Sequence, residues 1–220
     1  MATKLSTPPK ARVFLVDDHP IVRRGFQLLL GLERDLSVCG EADSFSQALE
    51  RMIQLKPDIA IIDLGLRESS GLDLIKEARA HLPDLKILVF TMKSEQMYAE
   101  RALRAGANGY ITKEEGAEKA IEALRVLLQG RTYLGVQLAE AMMNRLAGGR
   151  QPGDPTDLLS DRELQILEMI GTGLGTRHIA ERLKVSIKTI ESHREHIKTK
   201  LQLKKASELV NYAYNWVNRK

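Results

Sequence analysis

Two hydrophobic rhythms divide the chain. Through roughly the first 130 residues, short apolar runs alternate with stretches whose apolar positions recur at helical spacing; beyond residue 158 only the helical spacing is left. The short runs predict strands at 11–16, 36–42, 59–62, 86–90 and 108–112. The run Ile59, Ala60, Ile61, Ile62 is too brief for a free-standing helix and rich in β-branched residues, which marks a strand buried on both faces. Five strands, each followed by a helical pattern, predict an α/β domain with a doubly wound, five-stranded parallel sheet.

The helices between them have readable faces and ends. Pro20 opens the first, with Ile21, Val22, Phe26, Leu28, Leu29 and Leu30 as its expected buried side. Ser44 is placed to cap the second, whose apolar members Ala48, Leu49, Met52 and Ile53 have helical spacing. Gly71 opens the third, with Leu72, Leu74, Ile75 and Ala78 inward. The fourth, 94–105, has a thin stripe of Met97, Ala102 and Leu103, and such weakly anchored helices belong to the less stable part of a fold. The fifth is predicted over 114–129, and a short further helix over 136–146.

Polar groups stand at the tips of four strands: Asp17 and Asp18 after the first, Asp63 after the third, Thr91 after the fourth and Lys113 after the fifth. Right-handed crossovers bring those tips to one edge, where open α/β sheets place their ligands. Three clustered carboxylates repel one another unless a proton or a cation joins them. Hard oxygen donors in small number suit Mg²⁺, which keeps waters and leaves room for a phosphoryl oxygen. The set suits making and breaking an acyl phosphate on one carboxylate, with the ammonium and hydroxyl on its other oxygens.

The motifs LVDDHPIVRRG at 15–25, Asp63 with Gly71 eight positions on, Thr91, and GANGYITK at 106–113 resemble the receiver domain of bacterial two-component response regulators. With the C-terminal segment, the resemblance is to the NarL/FixJ subfamily. It implies a flavodoxin-like strand order 2-1-3-4-5. It also implies Asp63 as phosphoacceptor, Mg²⁺ held by Asp17, Asp18, Asp63 and the backbone carbonyl of Gly65, and Lys113 as the phosphate-pairing lysine. Thr91 and Tyr110 become the switch pair, the hydroxyl drawn inward by new charge and the ring following it. A histidine kinase is the implied phosphodonor.

The segment 158–220 reads as four helices. Ser160 with Glu163 forms a capping box, and Leu164, Ile166, Leu167, Met169 and Ile170 follow. Ile179, Ala180 and Leu183 make a short helix, Lys184 to Ser186 a tight turn, and Ile187, Ile190, Ile197 and Leu201 one side of a longer helix. Short helix, tight turn and long helix form a helix-turn-helix signature. The opposite side of the long helix carries Lys188, Glu191, Ser192, Glu195 and Thr199, flanked by Thr189, His193, His196, Lys198 and Lys200, a face suited to the major groove of double-stranded DNA. GLGTRHIAERLKVSIKTIESHREHIKTKL resembles the LuxR-type DNA-binding domain. The last helix, 204–217, shows more apolar surface than its own bundle needs, and the resemblance implies homodimer pairing there on phosphorylation.

Charge agrees with this division. Of 33 Lys and Arg against 29 Asp and Glu, residues 157–220 hold 12 against 8, leaving 21 against 21 elsewhere. The excess positive charge therefore lies where the polyanion is expected. One cysteine, Cys39, builds neither a disulfide framework nor a cysteine zinc site within the chain. No apolar run approaches the roughly 20 residues of a membrane span, so a cytoplasmic protein that binds no membrane is expected. The limits read as a leader at 1–10, a receiver domain at 11–131, a linker with a short helix at 132–157 and the DNA-binding domain at 158–220.

Together these features predict a phosphorylation-dependent transcription regulator and not an enzyme on external substrates. A phosphohydrolase built on Asp63 would want a second acid two residues on, where Gly65 stands. A receiver that ignores phosphate and binds DNA constitutively is the alternative, and the intact acids and Lys113 oppose it.

Overall fold

The computed structural model describes residues 9–66, 70–136, 138–140, 143 and 155–218. The leader up to residue 8, Arg67 to Ser69 of the loop after the third strand, most of the 136–146 helix and residues 144–154 of the linker lie outside them. The chain forms two compact units, residues 1–147 and 148–220.

In the first unit the elements run β1 (Ala11–Val16), α1 (Pro20–Leu32), β2 (Leu36–Ala42), α2 (Phe45–Leu55), β3 (Ile59–Ile62), α3 (Gly71–His81), β4 (Lys86–Thr91), α4 (Glu95–Ala105), β5 (Gly109–Thr112) and α5 (Ala117–Leu128). The strands are parallel in the order 2-1-3-4-5. β1 and β3 pair from Val13 with Ile59 to Val16 with Ile62, so Asp17 and Asp63 leave the sheet side by side. β4 and β5 end in register at Thr91 and Thr112, which brings Lys113 to the same edge. Under the sheet, Phe26 and Leu30 of α1 pack with Ala120, Ile121, Leu124 and Leu127 of α5 against Val13, Leu15, Ile61, Leu88 and Phe90. Phe26 meets Phe90 edge-on, ring centroids 5.0 Å apart.

Several local expectations need correction. On α1 only Phe26 and Leu30 are buried, while Ile21 and Leu28 are 77% and 74% exposed. The cause is length: six apolar residues outnumber what a helix against one sheet face covers. On α4 the buried stripe is Tyr98, Ala99, Ala102 and Ala105, so Met97 and Leu103 sit at its margins. Ser44 occupies the cap position of α2 without a side-chain bond. The fifth helix breaks near its start, because Lys113–Glu115 forms a separate 3₁₀ turn closed by a Thr112–Glu115 capping box. Gly116 then takes φ +90° before α5 begins. A glycine adopts that conformation at little cost.

In the second unit the described residues begin with a 3₁₀ turn, Pro155–Leu158, followed by α6 (Asp161–Gly171), α7 (Thr176–Arg182), α8 (Ile187–Lys200) and α9 (Ala206–Val217). Ser160 and Glu163 make the reciprocal capping box of α6. Leu164, Ile166, Leu167 and Ile170 pack with Ile179, Ala180, Leu183, Ile190, Ile197, Leu209, Ala213 and Trp216 into a helical core, all buried. Lys184 adopts φ +52° in the turn between α7 and α8, a left-handed position filled here without glycine. Gly171 lets α9 approach, since a Cβ there would overlap the Ala213 carbonyl oxygen. Among the described residues no helix is long and apolar enough to cross a membrane.

Gly71 deserves a substitution test because a Cβ there would overlap the Asp63 carbonyl oxygen and lie 2.6 Å from Leu64 Cα. Both obstacles are backbone. Gly71→Ala should destabilise the first unit by about 1–3 kcal/mol through overpacking. Gly25→Ala, with open space around its Cβ in α1, should stabilise by up to about 1 kcal/mol. Urea unfolding followed by circular dichroism checks both signs.

Candidate functional site

At the C-terminal edge of the sheet the polar tips converge. Lys113 Nζ lies 2.6 Å from Asp17 Oδ2 and 2.7 Å from Asp63 Oδ2. Thr91 Oγ1 donates to Asp63 Oδ1 at 2.6 Å, and the Gly65 N–H donates to the same oxygen at 3.0 Å. The three lysine and hydroxyl contacts are sequence-distant, so the fold alone assembles them. Asp17, Asp63 and Thr91 are buried, with Asp18 at the margin. Burial by itself would push the Lys113 ammonium down, but the charge of Asp63 and hydrogen bonds to Asp17 and Asp63 hold it above its ordinary value. Lys113 is therefore a fixed cation between two acids.

The donor set suits a hard cation. Asp17, Asp18, His19 and Asp63 each offer a ligand atom, all within 4.8 Å of one another. Three of the four are carboxylates, the chemistry that Mg²⁺ prefers. His19 was not a sequence-level candidate. Its backbone N–H donates to Asp17 Oδ1 at 2.8 Å, and its Nδ1 lies 2.8 Å from Asp18 Oδ1 and 3.1 Å from Asp17 Oδ1. Position beside the acidic pair was its one signal.

Tyr110, on β5, is 1% exposed. Its hydroxyl donates to the Lys93 carbonyl at 2.9 Å, in the loop between Thr91 and α4. Thr91 and Tyr110 both lie inward in this structure. Sequence reasoning missed the segment after α5. Tyr133 pairs with β5, donating to the Asn108 carbonyl at 3.2 Å and accepting from the Tyr110 N–H at 3.0 Å. Two residues on, the Gly135 N–H donates to Glu95 Oε1 at 2.9 Å, in the first turn of α4.

In the second unit Ser186 caps α8 by accepting from the Thr189 N–H at 3.0 Å. Ile190 and Ile197 are fully buried, while Lys188, Glu191, Ser192 and Glu195 stand exposed. Of the remaining candidates, Thr189, His196, Lys198 and Lys200 are engaged within the unit. Thr189 Oγ1 is 2.8 Å from Ser186 Oγ, and Lys198 Nζ is 2.9 Å from Glu195 Oε2. Lys200 Nζ lies 2.7 Å from Glu163 Oε2, and His196 Nδ1 lies 4.0 Å from Glu163 Oε1. Burial and the nearby Arg162 charge push the His193 imidazole down, favouring its neutral form. The two ends of α8 therefore differ: its start is open, and its end is tied to the start of α6.

An acidic pocket at the edge of a five-stranded parallel sheet, joined in one chain to a helix-turn-helix bundle, defines a receiver with a DNA-reading output. Residues 13–125 match the response regulator receiver domain and residues 157–213 the bacterial regulatory proteins of the luxR family. The chain is 38% identical over 209 residues to the oxygen regulatory protein NreC of Staphylococcus epidermidis, covering 92% of this chain and 96% of that one. The RcsB response regulator of Salmonella typhimurium aligns at a TM-score of 0.68 with 26% identity, over 94% of this chain and 98% of that one. A LuxR-family two-component response regulator from Aurantimonas sp. SI85-9A1 aligns at 0.58 with 32% identity, over 63% and 99%. This chain belongs to the response regulators that carry a receiver domain and a luxR-family DNA-binding domain. It is a regulatory protein in which the phosphorylation state of the receiver controls a C-terminal DNA-binding output.

The tie between α6 and α8 has a pH signature. Burial raises the Glu163 carboxyl, but the Lys200 ammonium and the Ser160 N–H outweigh it and hold the group below the ordinary glutamate value. A depressed carboxyl contributes stability above its unfolded-state pKa and loses it as pH falls through the folded one. Glu163→Gln should therefore cost about 1–3 kcal/mol at neutral pH, with the gap to the parent closing as acid is added. Trp216, the one tryptophan of the sequence and buried in this unit, reports it by fluorescence.

Proposed function

We propose that Asp63 is the residue phosphorylated, and that the observation carrying this is its carboxylate, held between Lys113 Nζ at 2.7 Å and Thr91 Oγ1 at 2.6 Å beside two further acids. The donor is a phosphohistidine of a histidine kinase. An Asp63 oxygen attacks phosphorus, the nitrogen–phosphorus bond breaks, and the histidine departs with its electron pair. Lys113 and Thr91 are already aimed at the place where phosphoryl oxygens arrive, so each exchanges an Asp63 oxygen for one of those. Mg²⁺ would be held by Asp17, Asp18, Asp63 and the Gly65 carbonyl, and when bound it neutralises charge shared by carboxylates and phosphoryl oxygens.

The product favours the inward arrangement of Thr91 and Tyr110, a population shift rather than a new fold. The signal leaves through α4, β5 and the segment after α5. Tyr110 grips the α4 loop by its hydroxyl and Tyr133 by its N–H, while Glu95 holds Gly135. Whatever moves Tyr110 and α4 moves the start of the linker. We read residues 11–131 as the receiver domain, 132–157 as the linker and 158–220 as the DNA-binding domain.

Output is binding to duplex DNA as a homodimer, in the cytoplasm where that DNA lies. RcsB has been seen bound to the rprA promoter with the phosphomimetic BeF3⁻. Here Lys188, Glu191, Ser192 and Glu195 face base edges, with Thr189, His193, His196, Lys198 and Lys200 at the flanks. On α9, Val210 and Tyr214 stand exposed and supply an apolar strip for pairing.

Acetyl phosphate with Mg²⁺ should place one hydroxylamine-sensitive phosphate on Asp63, shift the protein to a dimer and tighten its DNA binding. Asp63→Ala should show none of the three, and label retained in that variant overturns the assignment. Glu95→Ala, which frees Gly135, should leave labelling at the parent rate but reduce the difference in DNA affinity between the two states. An unchanged difference assigns the Glu95 contact to local folding alone.

A further inference from the structure

We propose that Arg23 is a positioning residue for phosphoryl transfer, acting by locking the peptide that joins Asp17 to Asp18; this rests on the reading of that acidic pair as cation ligands. Arg23 lies on the first turn of α1, its side chain only 13% exposed. Its Nη1 donates to the Asp17 main-chain oxygen at 2.6 Å. Its Nε lies 3.6 Å from Glu41 Oε2, an ion pair to the end of β2. Glu41 is itself anchored, since Gln27 Nε2 donates to the same carboxylate oxygen at 2.7 Å and Arg51 donates to the Glu41 carbonyl.

The Asp17 carbonyl belongs to the one peptide group whose rotation would swing both acids. The Asp17 N–H is already fixed by the Ala42 carbonyl at 3.2 Å. With Arg23 on the oxygen, the backbone on both sides of Asp17 is held, and the carboxylates of Asp17 and Asp18 keep a common edge although they repel each other. Fixing ligands through partners outside the coordination sphere is a general means of raising metal affinity. A guanidinium suits the task because its rigid plane donates to the Asp17 oxygen while the ion pair with Glu41 fixes its direction, which an ammonium does not do.

Charge and geometry predict opposite signs here. A cation close to a metal site weakens metal binding by Coulomb repulsion, so removing one should tighten it if charge were all that mattered. The positioning role predicts the reverse. Arg23→Met and Arg23→Lys should both weaken Mn²⁺ binding by the full-length protein about tenfold or more, in the range seen for losing an outer-sphere partner. Free Mn²⁺ is counted by electron paramagnetic resonance, and acetyl phosphate labelling at saturating metal should stay near the parent rate. Arg79→Met is the control. Arg79 likewise bonds carbonyl and amide oxygens, at Gly106 and Asn108, but at the opposite edge of the sheet.

Weakened binding in both Arg23 variants, with Arg79→Met like the parent, supports the role. Parent-like or tighter binding in Arg23→Lys overturns it, as does equal weakening in Arg79→Met, which would trace the effect to general loss of stability. If Arg23→Met does not fold, Arg23→Lys decides alone. If the parent itself binds no Mn²⁺, the reading of the acidic pair fails first and this role with it.

Discussion

Repulsion among carboxylates at one edge of the sheet is the constraint from which the rest of the first unit follows. Asp17, Asp18 and Asp63 are brought together by the pairing of β1 with β3, and nothing in that pairing compensates their charge. The compensation comes from β5, two strands away, through Lys113. A buried ammonium between buried carboxylates is stable only with good geometry on every donor, and here each neighbour of the pair contributes. Thr91 and the Gly65 N–H take one Asp63 oxygen, the lysine takes the other, and His19 leans on the remaining acids. Such a pocket stores its sensitivity in its own balance. On the proposed reading, a phosphoryl group added there would change both charge and hydrogen-bond demand at the one point where four strands end.

Under the proposed function, charge change at a point becomes mechanical because the strands that carry the pocket also bond the segment after α5. Thr91 closes β4, and the loop leaving it offers the Lys93 carbonyl to the Tyr110 hydroxyl. Tyr110 in turn holds Tyr133 by its backbone, so three hydrogen bonds lead from the pocket to the chain that enters the linker. The stiff centre, Ile59–Ile62 and Lys86–Thr91, has no freedom to absorb a displacement. α4, whose buried stripe is mostly alanine, has more. Small side chains give shallow interdigitation, and shallow packing lets a helix slide at lower cost than one keyed by leucines.

Strand positions were legible because short apolar runs bounded by polar residues have few other uses. The acids were legible because polar groups at strand tips are exposed to inspection by sequence alone once the strand order is known. Faces of the helices were less so. α1 carries more apolar residues than its packing surface accepts, and periodicity cannot say which of Leu28, Leu29 and Leu30 turns inward; the sheet chooses Leu30. Tyr98 was overlooked because an aromatic with a polar tip reads equally as core or surface. Contacts made by main-chain groups, such as Arg23 on the Asp17 carbonyl or Tyr133 on β5, leave no pattern in residue type. Only the folded path of the chain reveals them.

The second unit solves its electrostatics differently, and the difference bears on how DNA is met. A long helix aimed at phosphate would gain from free lysines, yet Lys198 and Lys200 at the end of α8 are paired with Glu195 and Glu163. The Glu163 pair crosses from α8 to α6, where the carboxylate also closes the capping box through the Ser160 N–H at 2.8 Å. One buried acid therefore sets the start of one helix and the end of another. This arrangement trades long-range attraction for a fixed angle of α8, leaving Lys188, Ser192 and the two glutamates at its open side. On the proposed reading of α8, rigid presentation of a mixed-charge face suits discrimination between base edges more than indiscriminate grip on the backbone, because carboxylates there penalise phosphate and reward only a correctly placed amino donor.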